Sequence, residues 1–184
     1  MRASASTARR SRQAGFTLID LLFVIALIGL LSAIAIPGMM RTKGAAQATS
    51  AVATLKVFNS SQLSFAISCG FGFYATSLPT LGTKPPAALD AFLPLELANG
   101  LTVTKSGYLF SLAGTPIPGT PASCNGVPGG QASSGYAAIA DTLDPAGGRF
   151  FGTNTDGVVF EHTATLSGSM PETGAPALGI MIRQ

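Results

Sequence analysis

The chain has 184 residues, of which 47% are hydrophobic and only 10% charged, with 22 glycines, 12 prolines and two cysteines. That length accommodates one modest domain plus an appendage. Its formal charge of +3 does not indicate a nucleic-acid surface, because Arg2, Arg9, Arg10 and Arg12 all precede the first apolar run, and from Phe16 onward seven basic residues face eight acidic ones, a formal charge of −1.

The first element is an apolar run of 21 residues, Phe16 to Ile36, broken by Asp20 and more mildly by Thr17, Gly29 and Ser32. A bilayer-spanning helix needs roughly 20 residues. The four arginines ahead of the run act as a cytoplasmic anchor under the positive-inside rule, which places everything after it on the extracytoplasmic side. Three readings compete: a secretory signal, a plain membrane anchor and a prepilin leader. A secretory core is about 7 to 15 residues long and ends in small residues, which Ser32-Ala33-Ile34-Ala35 would supply. The run here is longer, and it carries a carboxylate four residues after its start, for which a secretory core has no use.

The stretch from Gly15-Phe16-Thr17-Leu18-Ile19-Asp20 through Ser32-Ala33-Ile34-Ala35-Ile36-Pro37 resembles the leader junction and N-terminal helix of type IV pilins and of type II secretion pseudopilins. The resemblance implies that a prepilin peptidase cuts between Gly15 and Phe16 and methylates the new amino group of Phe16. It also implies partners: other pilin subunits in a homo- or heteropolymer, and the assembly platform of a pilus or a type II secretion system. The implied location is the bacterial inner membrane, single-pass, with the globular part outside the cytoplasm and in an extracellular filament once assembled.

A carboxylate inside hydrocarbon is costly and calls for a partner. Asp20 lies one helical turn from Phe16, near the start of its helix, where the dipole favours negative charge. In the family the partner is the N-terminal amine of a neighbouring subunit, which fixes the axial register of the filament. The family usually has glutamate here; Asp20 keeps the charge and shortens the reach by one methylene. Pro37, beside Gly38, removes a helical hydrogen bond and is expected to kink or loosen the helix.

Beyond Pro37 the chain is alanine-rich and amphipathic. Ala48, Ala51, Leu55, Phe58, Gln62, Phe65 and Cys69 recur at spacings of three and four, which predicts one buried helical face, with Gly70 and Gly72 as the stop. The stripe is narrow, so a coiled-coil partner competes with packing on the chain's own sheet; the strand-rich segment that follows favours the sheet. The expected organisation is a leader over 1–15, a long helix over 16–69 with its membrane segment at 16–36, and a β-rich head over 70–184.

In the head, strands are predicted at Leu101–Thr104, Tyr108–Leu112, Tyr136–Ala140, Arg149–Thr153 and Val158–His162, with Asn154-Thr155-Asp156-Gly157 as a hairpin turn. Leu78–Pro94 and Gly114–Gly130 read as proline-rich loops, the first with a short helical turn around Ala87–Phe92. The tail from Ser167 either adds an edge strand near Leu178–Ile182 or stays loose. The predicted class is α+β, a long kinked helix packed on an antiparallel sheet.

Cys69 and Cys124 both fall on the translocated side, where an oxidising environment allows a disulfide; two buried thiols are the alternative. Catalytic chemistry is missing from the pattern. His162 is the lone histidine and reads as a surface residue, the cysteines and histidine are too few for a structural zinc site, and no nucleophile elbow or phosphate-binding loop occurs. Asp141, Asp144 and Asp156 match no EF-hand spacing and read as solvated turns rather than a calcium cage. The residues thus predict a structural subunit, without enzymatic activity, cofactor or metal.

Overall fold

The computed structural model describes residues 16–144 and 148–182, without the side chain of Pro37. The chain divides into two compact units, Met1–Thr42 and Lys43–Gln184. The helix α1, Leu18–Ser68, contributes its first part to one unit and its second part to the other.

In the first unit, α1 is apolar on every side. Leu21, Leu22, Phe23, Val24 and Ile25 are consecutive, and each is between 46% and 65% exposed. At about 100° per residue, five successive positions go round the whole helix, so no face of this stretch is covered by the described residues of its own unit.

The second unit is built on the face of α1 that the spacing predicts. Ala48, Ala51, Leu55, Phe58, Gln62, Phe65 and Cys69 are all buried. Their partner is the chain's own sheet: Phe58 meets Phe110 edge-on with ring centroids 5.8 Å apart, and the Asn59 amide donates to Thr153 Oγ1 at 2.9 Å. The helix ends where Phe71 and Gly72 take positive φ of 53° and 89°. The N–H groups of Gly70 and Gly72 then satisfy the carbonyls of Phe65 and Ala66, at 2.7 and 2.9 Å. Gly70 is required by close approach, because a Cβ there would lie 2.3 Å from the Phe73 carbonyl oxygen.

A short helix α2, Leu78–Gly82, and a 3-10 turn, Leu95–Leu97, precede the sheet. The helical turn expected around Ala87–Phe92 does not form; helix forms instead at Leu78–Gly82. There, Leu78 and Leu81 are three apart and both fully buried, and Pro79 suits the first turn. Around Ala87–Phe92 only Phe92 reaches the core, against Phe65, while Leu89 stays 90% exposed, so no apolar pair rewards a helix.

Six antiparallel strands follow in meander order: β1 Thr102–Lys105, β2 Tyr108–Ala113, β3 Ala137–Thr142, β4 Phe150–Asn154, β5 Val159–His162 and β6 Ile180–Met181. The long helix followed by this sheet is the α+β layout expected from the sequence. In register, Phe110 faces Ala140 and Leu112 faces Ala138, so bulky residues on β2 pair with alanines on β3 and leave room for the side chains of α1. The predicted β4–β5 turn is present: Gly157 has φ of 73°, and its N–H donates to the Asn154 carbonyl at 2.9 Å.

The opposite face of the sheet is also covered. Phe160, Leu166 and Met170 form a second apolar cluster with Ala137, Ile139 and Val158. Gly152 lies beneath it, with Leu166 Cδ1 and Met170 Sδ each 3.1 Å from where a Cβ would sit. Asn154 secures this segment by donating from Nδ2 to the carbonyls of Pro171 and Gly174, at 3.1 and 2.6 Å. The tail is therefore anchored, and it ends in the edge strand β6 on β5.

Candidate functional site

The N-terminal end of α1 holds the expected assembly residues. Gly15, the rest of the expected leader and its four arginines lie outside the described residues. Phe16 is 87% exposed. Thr17 precedes the first helical residue and Asp20 follows three positions later, and the two form a reciprocal cap. The Thr17 N–H and hydroxyl both donate to Asp20 Oδ2, at 3.2 and 2.6 Å, while the Asp20 N–H reaches Thr17 Oγ1 at 3.3 Å. Two N–H groups left open by helix geometry are thereby satisfied.

Sequence reading missed the role of Thr17. The signal was available, since a threonine followed three residues later by an acid ahead of an apolar run is the signature of a capping box. No cation pairs with Asp20 among the described residues. Between Asp20 and Arg41 the sequence has no charged residue at all. Among the described residues α1 is the one helix apolar and long enough to cross a membrane.

Pro37 lies within α1, and helical assignment continues through it.

Cys69 and Cys124 form a disulfide with Cα atoms 4.9 Å apart, across a sequence separation of 55. Cys69 is buried and Cys124 is exposed. The Cys124 N–H also donates to the Cys69 carbonyl at 3.3 Å, so the loop is tied to the helix end twice.

The remaining candidates do not gather. His162 Nδ1 accepts from the Ala164 N–H at 3.1 Å, and neighbouring Glu161 is engaged by Arg149 in a two-pronged pair whose Nη2 to Oε2 arm is 2.7 Å. Asp141 accepts from the Thr165 hydroxyl at 2.8 Å, whereas Asp156 lies in the β4–β5 turn and accepts from the Gly174 N–H at 2.9 Å. The pairing of Ala137 with Asn154 places that turn at the opposite end of β3 from Asp141, so the three aspartates do not meet. Among the described residues no three His, Cys, Asp or Glu side chains cluster.

An apolar helix uncovered on all sides, a capped acid near its start and an α+β second unit define a pilin-like layout. The family of the prokaryotic N-terminal methylation motif matches the chain over residues 10–36. That motif is characteristic of type IV pilins and pseudopilins. No curated protein and no solved structure matches it.

Proposed function

We propose that the chain is a structural subunit which, after cleavage between Gly15 and Phe16, is drawn from the inner membrane into a type IV pilus-type filament through the N-terminal part of α1. The observation that carries this reading is an all-round apolar helix whose sole charge before Arg41 is Asp20, its first part lying within the stretch that matches the methylation motif. Lipid covers such a surface before assembly and neighbouring helices cover it afterwards. Asp20 then accepts the methylated amine of Phe16 from the next subunit and sets the register, while Pro37 lets the helix lengthen or bend as it packs. Residues 70–184 form the solvent-facing head, outside the cytoplasm. Prepilin peptidase and an assembly platform are the partners this route requires.

Intact-mass measurement and N-terminal sequencing of the chain from its native membrane test the reading. A methylated Phe16 terminus is expected. A terminus at Ile36 or an uncut Met1 would replace it with export or simple tethering. A short secretion filament of the pseudopilin kind is distinguished genetically, by loss of secretion with surface pili intact.

A further inference from the structure

The second unit contains an open cleft of about 460 Å³ between α1 and the β4–β5 turn, which the N-terminal chemistry does not use. This volume is in the roughly 300–1,000 Å³ range of small-ligand sites. One wall is aromatic: Tyr74 and Tyr136 pack edge to face, with centroids 5.2 Å apart. Leu63 extends the apolar surface, and Lys56, Ser60, Thr155 and Asp156 supply polar groups around it.

The cleft is held rigidly from behind. Asn59 Oδ1 accepts from the Tyr136 hydroxyl at 2.9 Å, and Asn59 Nδ2 donates to the Gly157 carbonyl at 3.2 Å, so helix, strand and turn are locked together. The Tyr136 N–H donates to Thr155 Oγ1 at 3.0 Å. The groups at the mouth are differently placed. Among the described residues, neither the Lys56 ammonium nor the Tyr74 hydroxyl has a hydrogen-bond or ion-pair partner. Asp156 uses Oδ2 for the Gly174 N–H, which leaves Oδ1 to accept from a ligand.

We infer that this cleft binds a neutral saccharide. One cation and one carboxylate face the same space, so the site has no net charge with which to select a phosphate, a nucleotide or a quaternary ammonium group. It offers instead a mixed set of donors and acceptors, namely an ammonium, a carboxylate oxygen and several hydroxyls, which suits the vicinal hydroxyls of a sugar ring. The half-buried ring of Tyr74, backed by the buried Tyr136, supplies with Leu63 the apolar surface on which the C–H face of that ring packs. This inference concerns the second unit alone, so its failure would leave the filament reading untouched, and the reverse also holds.

The test is titration of the full-length chain in detergent micelles with maltotriose, cellotriose and triacetylchitotriose, followed by NMR, with an unrelated neutral tripeptide as a comparison. At least one trisaccharide is expected to bind saturably, with shifts centred on Tyr74 and Tyr136. Lys56→Ala and Tyr74→Phe, each removing a group with no internal partner, should leave the thermal midpoint unchanged and weaken binding by about tenfold. Absence of binding by all three sugars overturns the inference, as does binding unaffected by both substitutions, or binding of the tripeptide in their place.

Discussion

The side chain of Gln62 clamps the backbone of Ala75 at both ends, donating from Nε2 to its carbonyl at 2.7 Å and accepting its N–H on Oε1 at 2.9 Å. Gln62 is fully buried on the inward face of α1, among apolar neighbours. The turn that reverses the chain after the helix thus has its hydrogen bonds satisfied from the helix itself. Replacing Gln62 with Leu leaves a buried donor and a buried acceptor open, each costing about 1–3 kcal/mol. We expect Gln62→Leu to lower the stability of the second unit by about 2–4 kcal/mol, measured by urea denaturation; a change below about 0.5 kcal/mol would refute the clamp.

The disulfide closes a loop across a separation of 55 residues. The chain-entropy treatment gives about 4 kcal/mol for such a loop, and native bridges commonly deliver somewhat less. Cys124 is exposed, so a mild reductant reaches it without prior unfolding. Denaturation midpoints with and without reductant should differ accordingly, and Cys124→Ser should behave like the reduced protein.

Leu166 is fully buried in the second apolar cluster. Truncation to alanine is expected to cost about 2–5 kcal/mol through lost burial and the cavity left behind. Limited proteolysis should then cut first within 163–176, because Leu166 and Met170 supply the apolar contacts of this segment with the sheet, and its remaining ties are hydrogen bonds such as those of Thr165, Glu172 and Gly174. Unchanged cleavage sites would show that the segment is secured by something else.

Burial, together with the nearby Tyr74, pushes the Tyr136 phenol above its ordinary value of 10.0, and burial also raises Tyr108. The unfolded chain loses these protons first as pH rises. Stability from this source is therefore complete below pH 10 and declines above it, through the range where the folded phenols finally ionise. Thermal midpoints should fall between pH 10 and 11.5 in the native chain, and by less in Tyr136→Phe, once its lower starting stability from the lost bond to Asn59 is taken into account.

For assembly, Asp20→Ala should leave membrane insertion intact and strongly reduce polymer recovered by shearing. Asp20→Glu keeps the charge and extends the reach, and should polymerise at least as well as the native chain. Normal filaments from Asp20→Ala would remove this carboxylate from the assembly step.

Much of the fold was legible because two periodicities are strong. The three-and-four spacing from Ala48 to Cys69 marked the buried face of α1 residue for residue, and the alternation Tyr108, Phe110, Leu112 marked β2. Strand ends moved by one or two positions, as at β3, which runs Ala137–Thr142 instead of Tyr136–Ala140. The covering of the second sheet face was not legible. Leu166 and Met170 are isolated among Ser, Gly and Pro, so no period announces that they are buried. Proline at the start of α2 was read as a breaker when it was an initiator. The N-terminal site was visible in its acid and its apolar run, and the Thr17 cap was written in the spacing though overlooked, but the polar work of Asn59 and Gln62 depends on which backbone or side chain arrives opposite, and spacing does not encode that.

The bond between Cys69 and Cys124 has a mechanical consequence. It joins the last turn of α1 to a point 55 residues downstream, so a pull entering along the helix crosses to residue 124 through sulfur instead of through the intervening chain. Traction along α1 then cannot peel α2, β1 and β2 away one after another, because the slack they contain is locked out of the load path.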